Sequence, residues 1–319
     1  MSFDASVQQA IGQWGLRDGN ARMISHRENA VFAIRLNDGQ PAALRLHRPG
    51  YNSVNEIWSE LWWTNALAEA GFPAPKPVAT PDETLLVTLD NGQIATVISW
   101  VDGAPIGFSG QPLPGSDADQ IKRYTDVGKL LAQLHDTSDA LTLPANFTRR
   151  SWDHTGLLGD NPLWGRFWEH PGLDSDAQDT LNQARAKART DLTAYDKTNP
   201  RMGLIHADAL RENVFATANG LTLIDFDDSG FGYTMFELTV AVSQSIDEAN
   251  YSSLCQAVIE GYAAVHPLTH DDIARIPLFA MLRGFASLGW IVPRLPAEDP
   301  NNDKYIRRAI LLSQRYLDT

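Results

Sequence analysis

Cysteine is almost missing from these 319 residues, with Cys255 the only one. One thiol makes no internal disulfide, and within the apolar stretch 254–259 it is expected in the core. No apolar run approaches the ~18 residues a membrane helix needs, so no membrane partner is expected. The N-terminal Met-Ser-Phe-Asp-Ala-Ser lacks a basic segment leading into an apolar one. No signal peptide is therefore predicted, and the expected compartment is the cytoplasm. Basic charge is short too: 26 Lys and Arg against 39 Asp and Glu leave a formal charge of −13. A field of that sign repels nucleic acid and favours small cationic partners. No internal repeat or low-complexity segment is present, and nothing in the sequence sets the oligomeric state.

Apolar residues make up 43% and charged residues 20%, a globular composition in a chain long enough for two domains. The chemistry gathers between residues 204 and 228. There Leu-Ile-His206-Ala-Asp208 runs on to Asn213, and Leu-Thr-Leu-Ile-Asp225-Phe-Asp227-Asp228 follows. In kinase-type phosphoryl transfer the Asp of H-x-D-x-x-x-x-N receives the hydroxyl proton and the Asn holds magnesium. A second Asp, at the end of a nearby strand, bridges the metal to the phosphates. Asp208 and Asn213 have that spacing, and Asp225 follows a β-branched run. Two other readings compete: a buried His beside a turn-capping carboxylate, and a two-metal phosphohydrolase with His206, Asp208, Asp225 and Asp227 as ligands.

Upstream, residues 5–15 predict a short helix with Ile11 and Trp14 on its apolar face. Strands are expected over 23–25, 30–36 and 42–47, with His26-Arg27-Glu28-Asn29 and Asn37-Asp38-Gly39-Gln40 as turns. The first loop has no glycine, so it differs from a kinase Gly-rich loop; Asn29 or a backbone N–H is its candidate phosphate donor, and an ordinary hairpin turn is the alternative. Alternation in Ala43-Leu44-Arg45-Leu46-His47 puts Arg45 and His47 opposite Leu44 and Leu46. Kinases place a phosphate-binding Lys here, whereas this chain has no Lys before Lys76. Arg45 can take that role, since a guanidinium binds phosphate bidentately; a solvated strand Arg is the alternative.

Ser53-Val-Asn-Glu56 is a capping-box signature, followed by Ile57, Leu61 and Leu67 at helical spacing and a stop at Gly71 and Pro73. Glu60, at the border of that apolar face, is a candidate partner for Arg45; a solvated helix Glu is the alternative. Strands at 84–89 and 93–100 complete a five-stranded sheet, and Val101-Asp102-Gly103 breaks the pattern. Backbone groups near Ser99 and Val101 are candidates for an adenine edge. Beyond this the chain is mainly helical, with helices expected at 117–135, 174–196, 237–245, 252–266, 271–288 and 304–317. Trp152, Trp164 and Trp168 sit in a Gly- and Pro-containing stretch that either walls a substrate site or packs as an aromatic loop. His135 is expected to be packed, and Trp290 and Arg294 are weak acceptor-site candidates.

These residues resemble the aminoglycoside phosphotransferase and choline kinase family. His206-Ala-Asp208 through Asn213 and Ile224-Asp225-Phe-Asp227-Asp228 carry the resemblance. Arg45-Leu-His-Arg48-Pro49, Ser59-Glu60-Leu61 and 128–135 support it. Within the group the chain looks closest to stress response kinase A and type II homoserine kinase-like members. The resemblance implies an α+β, bilobal protein-kinase-like fold. An antiparallel sheet with one helix over 1–101 would bind nucleotide, and a larger, mainly helical lobe over 102–319 would carry catalysis and substrate. It implies ATP and Mg2+ as cofactors, Asp208 as base, Asn213 and Asp225 as metal ligands, Asp225 also as catalytic, and Arg45–Glu60 as the phosphate-anchoring pair. The acceptor it implies is a small hydroxylated molecule such as an amino-alcohol, a hydroxy-amino acid or an aminoglycoside; a Ser/Thr protein kinase of the stress-response type is the alternative, and a nucleotide-binding pseudokinase is another. The chain departs from the pattern at Arg45, in its glycine-free loop, at Ala207 where many members have Gly, and at Glu237 where Asp is common. Asp227 and Asp228 are left as supporting or surface groups.

Overall fold

The computed structural model describes residues 4–17, 19–26 and 28–319; residues 1–3, Asp18 and Arg27 of the first loop lie outside them. The chain begins with α1 (Asp4–Gln13), β1 (Arg22–His26), β2 (Ala30–Arg35), β3 (Pro41–Leu46) and α2 (Val54–Glu69). It continues through β4 (Leu86–Thr88), β5 (Ile94–Ser99), β6 (Gly103–Pro105), α3 (Asp117–Asp139), β7 (Arg150–Trp152), α4 (His154–Leu158) and α5 (Ser175–Asp196). Then come β8 (Met202–Ile205), β9 (Val214–Thr217), β10 (Gly220–Leu223), β11 (Gly230–Tyr233) and α6 (Thr234–Val242). The last helices are α7 (Tyr251–Ala263), α8 (His270–Ala274), α9 (Ile276–Ile291) and α10 (Asn301–Leu317). No helix among the described residues is long and apolar enough to cross a membrane.

The architecture is α+β and falls into two compact units. The first holds the chain up to Ala104 together with Leu141–Arg149 and Phe215–Asp227, two segments that a linear division at Val101 would assign to the C-terminal part. Its five-stranded sheet has the order β1-β2-β3-β5-β4, antiparallel throughout. Period-two alternation explains how the sheet is covered. Phe32, Ile34, Leu44, Leu46, Ala95 and Val97 meet Val7, Ala10, Ile11 and Trp14 of α1 on one face. Ile94 and Ile98 meet Ile57 and Leu61 of α2 in a separate cluster. Both sides of β3 are thus buried, and Arg45 is only 4% exposed, so it is not a solvated strand arginine. The Ser53–Glu56 capping box forms as its sequence signature predicts, fixing the start of α2.

The second unit is mainly helical and is built on the small sheet β7-β11-β8. In it β11 runs parallel to β7 and antiparallel to β8. α3 packs along α7 at a very close crossing. A Cβ on Gly128 would lie 2.1 Å from the Val258 carbonyl oxygen, and one on Gly261 would lie 2.0 Å from that of Thr125, so both positions require glycine. The single helix expected over 271–288 is instead two, α8 and α9, parted at Arg275. The reason is Pro277, which has no N–H to donate and is accommodated in the first turn of a new helix. Cys255, expected in the core, is half-buried beside Tyr251.

Candidate active site

The residues singled out by the sequence fall into two sets, one within each unit. In the first unit the set is organised by Arg45. Its Nη1 donates to Glu60 Oε1 at 2.7 Å, and its Nη2 lies 3.3 Å from Asp225 Oδ1 and 3.4 Å from Asp227 Oδ1. Glu60, expected at the border of the apolar face, is 2% exposed. Burial alone would lower the Arg45 pKa, but Glu60, Asp225 and Asp227 outweigh it and hold the guanidinium above its usual value. His47 beside them stays neutral: burial, then Arg45 and Arg149, push its pKa down to about 3. Three carboxylates around one guanidinium leave this set net negative.

Asp225 and Asp227 are separated by conformation. Asp225 has φ +63°, a left-handed backbone that a non-glycine residue adopts at a cost of about 1–2 kcal/mol, and its side chain is 52% exposed. Asp227 is 4% exposed and is held by Asn52, whose Nδ2 donates to its Oδ1 at 3.0 Å and to its carbonyl at 3.2 Å. Burial would raise the Asp227 pKa, yet Arg45, His47 and Arg149 carry it below the ordinary carboxylate value. Asp227 is therefore a buried anchor. Asn29 is occupied as well: its Oδ1 accepts from Arg48 N at 3.1 Å, and its side chain bonds Asp227. Glu28 pairs with Arg48 at 2.5 Å, so the glycine-free loop is pinned to the end of β3 through both residues. Ser99 ends β5 with its N–H and Oγ both bonded to Lys76, and half-buried Val101 follows in irregular chain.

In the second unit β8 delivers the His206–Asn213 loop. Ala207 has φ +62°, and two buried backbone donors stabilise the bend by reaching Glu237 of α6. His206 N lies 2.5 Å from Glu237 Oε2 and Ala207 N lies 3.0 Å from Oε1. Both Asp208 oxygens are held: Oδ1 accepts from Arg283 Nη2 at 3.2 Å and Oδ2 from Asn213 Nδ2 at 3.0 Å. Burial pushes the Asp208 pKa up to about 6, with Arg283 opposing the rise and Asp228 adding to it. Asp228 is buried as well, gripped by Arg150 Nη1 at 2.9 Å and Trp164 Nε1 at 3.2 Å, while Trp152 Nε1 donates to its carbonyl at 2.8 Å. The tryptophan-rich stretch is in this respect a packed support. His135 is packed too, its Nδ1 2.9 Å from the Tyr262 hydroxyl. His206, a ligand in the phosphohydrolase reading, is fully buried, and its Nδ1 accepts from Asp208 N at 3.3 Å.

The donor chemistry suits a hard divalent cation. Asn213 Nδ2 is engaged with the Asp208 carbonyl and carboxylate, which leaves Oδ1, an acceptor that magnesium takes. Asp225 offers a half-exposed carboxylate. Among the described residues no group of three or more His, Cys, Asp or Glu side chains is placed to hold a metal. Magnesium keeps several waters and takes few protein ligands, so such a group is not a requirement for it. The sequence reading missed Arg283 and Arg149. Arg283 had a signal, being the single charge in the otherwise apolar α9; a buried cation needs a counter-charge.

A family model described as "Phosphotransferase enzyme family" matches residues 21–273. A homoserine kinase of Sinorhizobium fredii (strain NBRC 101917 / NGR234) is 29% identical over 257 residues, covering 79% of this chain and 72% of that protein. Among solved structures, a microcompartment-associated aminopropanol kinase aligns with a TM-score of 0.87 at 28% identity, covering 98% of this chain and 97% of that one. An amicoumacin kinase in complex with AMP-PNP, Ca2+ and Ami aligns with a TM-score of 0.78 at 16% identity, covering 100% and 94%.

Proposed function

The chain belongs to the phosphotransferase enzyme family and is a kinase, and from that premise we propose an ATP- and Mg2+-dependent transfer of the γ-phosphoryl group to a small-molecule hydroxyl. The acceptor in this reading is an amino-alcohol or a hydroxy-amino acid. The observation that carries it is the state of Asp208, a buried carboxylate held at both oxygens, by Arg283 and Asn213, with its pKa raised to about 6. A carboxylate so poised is ionised at neutral pH, yet basic enough to orient a hydroxyl and take its proton. Asn213 Oδ1 and Asp225 would hold the magnesium ion, which when bound neutralises and bridges phosphate oxygens. Arg45, fixed by Glu60, supplies the cation that kinases otherwise take from Lys. In such a transfer positioning and charge neutralisation do most of the work.

Support for a small acceptor comes from the similarity to proteins named homoserine kinase and aminopropanol kinase. The protein-kinase alternative has no such support among these relatives. The formal charge of −13 favours an acceptor that carries an amine. The test is a panel of hydroxylated amines, hydroxy-amino acids, aminoglycosides and generic protein substrates, assayed by ADP release with and without Mg2+. Magnesium-dependent transfer to a small amino-alcohol or hydroxy-amino acid is expected. Transfer to protein alone, or phosphate release without an acceptor, would overturn the reading.

A further inference from the structure

Arg149 stands out among the buried cations of the first unit because it donates to three backbone carbonyls on two different elements. It is 7% exposed. Its Nη1 donates to the Glu56 carbonyl at 2.9 Å, and its Nη2 donates to those of Phe226 at 3.2 Å and Asp227 at 2.7 Å. The first acceptor lies one turn before Glu60 on α2. The other two lie in the irregular chain that follows β10 and carries Asp225. That irregular chain has no ladder to satisfy its carbonyls, and a buried carbonyl left unpaired costs about 1–3 kcal/mol. A planar fork of five donors can serve two elements at once, which an ammonium on a flexible stem does poorly.

The residues before Arg149 seat the fork on the same helix. Thr148 N donates to Ser59 Oγ at 2.9 Å. Phe147 packs edge-on against Trp62, with ring centroids 5.6 Å apart. From the loop side, Phe226 meets Trp63 of α2 edge-on at 5.3 Å. Asp225 sits in a left-handed conformation, and such strain persists only where the surroundings over-determine it. Arg45 needs Glu60 and Asp225 in register, and each of those residues is carried by an element that Arg149 grips.

We propose that Arg149 is a positioning residue that couples α2 to the Ile224–Asp227 segment, so that Glu60 and Asp225 present themselves together to Arg45 and to a metal-bound nucleotide. Its nucleotide consequence rests on the kinase reading above, while the coupling itself does not. The test compares wild type with Arg149→Met, Arg149→Lys and Ser59→Ala in the full chain. Hydrogen exchange is followed by mass spectrometry, and binding of a non-hydrolysable ATP analogue with Mg2+ by calorimetry.

In Arg149→Met, peptides covering 54–62 and 222–229 are expected to exchange faster together, while those of α3 and α7 stay unchanged. The Kd for the magnesium-bound analogue is expected to rise about tenfold, as for a displacement of under an ångström at a positioned group. Arg149→Lys should restore part of both effects, and Ser59→Ala, which removes only the Thr148 anchor, should give a weaker version of the same pattern. Unchanged exchange in the two peptides, or loss of protection spread over the whole molecule, would overturn the coupling. If wild type binds no magnesium-bound analogue, the proposed ATP and Mg2+ dependence falls and the exchange comparison still decides the coupling. Where Arg149→Met does not fold, Arg149→Lys and Ser59→Ala carry the same comparison.

Discussion

Replacing Glu237 by Gln isolates the contribution of the carboxylate beneath the Asp208 loop. Glu237 is fully buried and accepts the N–H groups of His206 at 2.5 Å and Ala207 at 3.0 Å. Its Oε2 also lies 3.6 Å from His135 Nε2. Gln has nearly the same shape, so no cavity opens, and its single oxygen can serve only one of the two donors. One charge-assisted bond, about 1.5–3 kcal/mol, is lost, and a buried N–H is left facing an NH2 group, about 1–3 kcal/mol more. The new NH2 can donate to His135 Nε2, whose other nitrogen is already engaged with Tyr262, regaining about 1 kcal/mol. The net loss is about 1.5–5 kcal/mol, or a fall in Tm on the order of 10 °C. Ala207 is held left-handed at φ +62°, so loosening its N–H should also displace Asp208 and lower kcat by about 10–100-fold. Urea unfolding, calorimetry and steady-state kinetics on the folded protein measure both effects. A Gln variant within about 0.5 kcal/mol of wild type with unchanged kcat would refute the reasoning. Glu237→Asp keeps both acceptors and should cost less than Gln; if it costs more, reach outweighs charge here.

The remaining expectations concern the two sets of site residues. With the Asp208 pKa raised to about 6, kcat/KM should fall as pH drops through that value, because the base must be deprotonated to work. Arg283 opposes that rise, so Arg283→Gln should push the Asp208 pKa higher and move the acid limb of the profile upward; a limb that stays in place would count against the pairing. Arg45→Lys brings back the family's usual residue, yet one ammonium cannot reproduce the contacts at 2.7, 3.3 and 3.4 Å. It should raise the apparent KM for ATP, and an unaltered value would return Arg45 to a structural role. Ala207→Val places a β-branched side chain in the left-handed region and should destabilise by more than about 2 kcal/mol, whereas Ala207→Gly should stay within about 1 kcal/mol of wild type; equal melting temperatures for the two would show that the bend relaxes.

Local rules made much of the first unit legible. Alternation along β3 separates Arg45 from Leu44 and Leu46, and both sides of that strand prove buried. The Ser53–Glu56 box starts α2 where its sequence implies, which sets the phase that turns Glu60 inward. Pro277 was an equally local signal, and weighting the apolar period above it merged α8 with α9. The acids were harder, because Asp225 and Asp227 differ by conformation and not by sequence environment. A strained, half-exposed carboxylate and a buried anchor stand two positions apart in one acidic run.

Long-range partners divide in the same physical way. Arg283 could be inferred, since the one charge of α9 must find an opposite charge once its helix is buried, and Asp208 is that charge. The carbonyls that Arg149 grips could not, because every residue possesses one and no composition reveals which of them lack a partner. Charge balance can be read from a chain; backbone satisfaction requires knowing which carbonyls lack a ladder. The carbonyls through which Glu60 and Asp225 are held in register belong to the second kind, so the candidate site residues could be picked from the chain while the support beneath them could not.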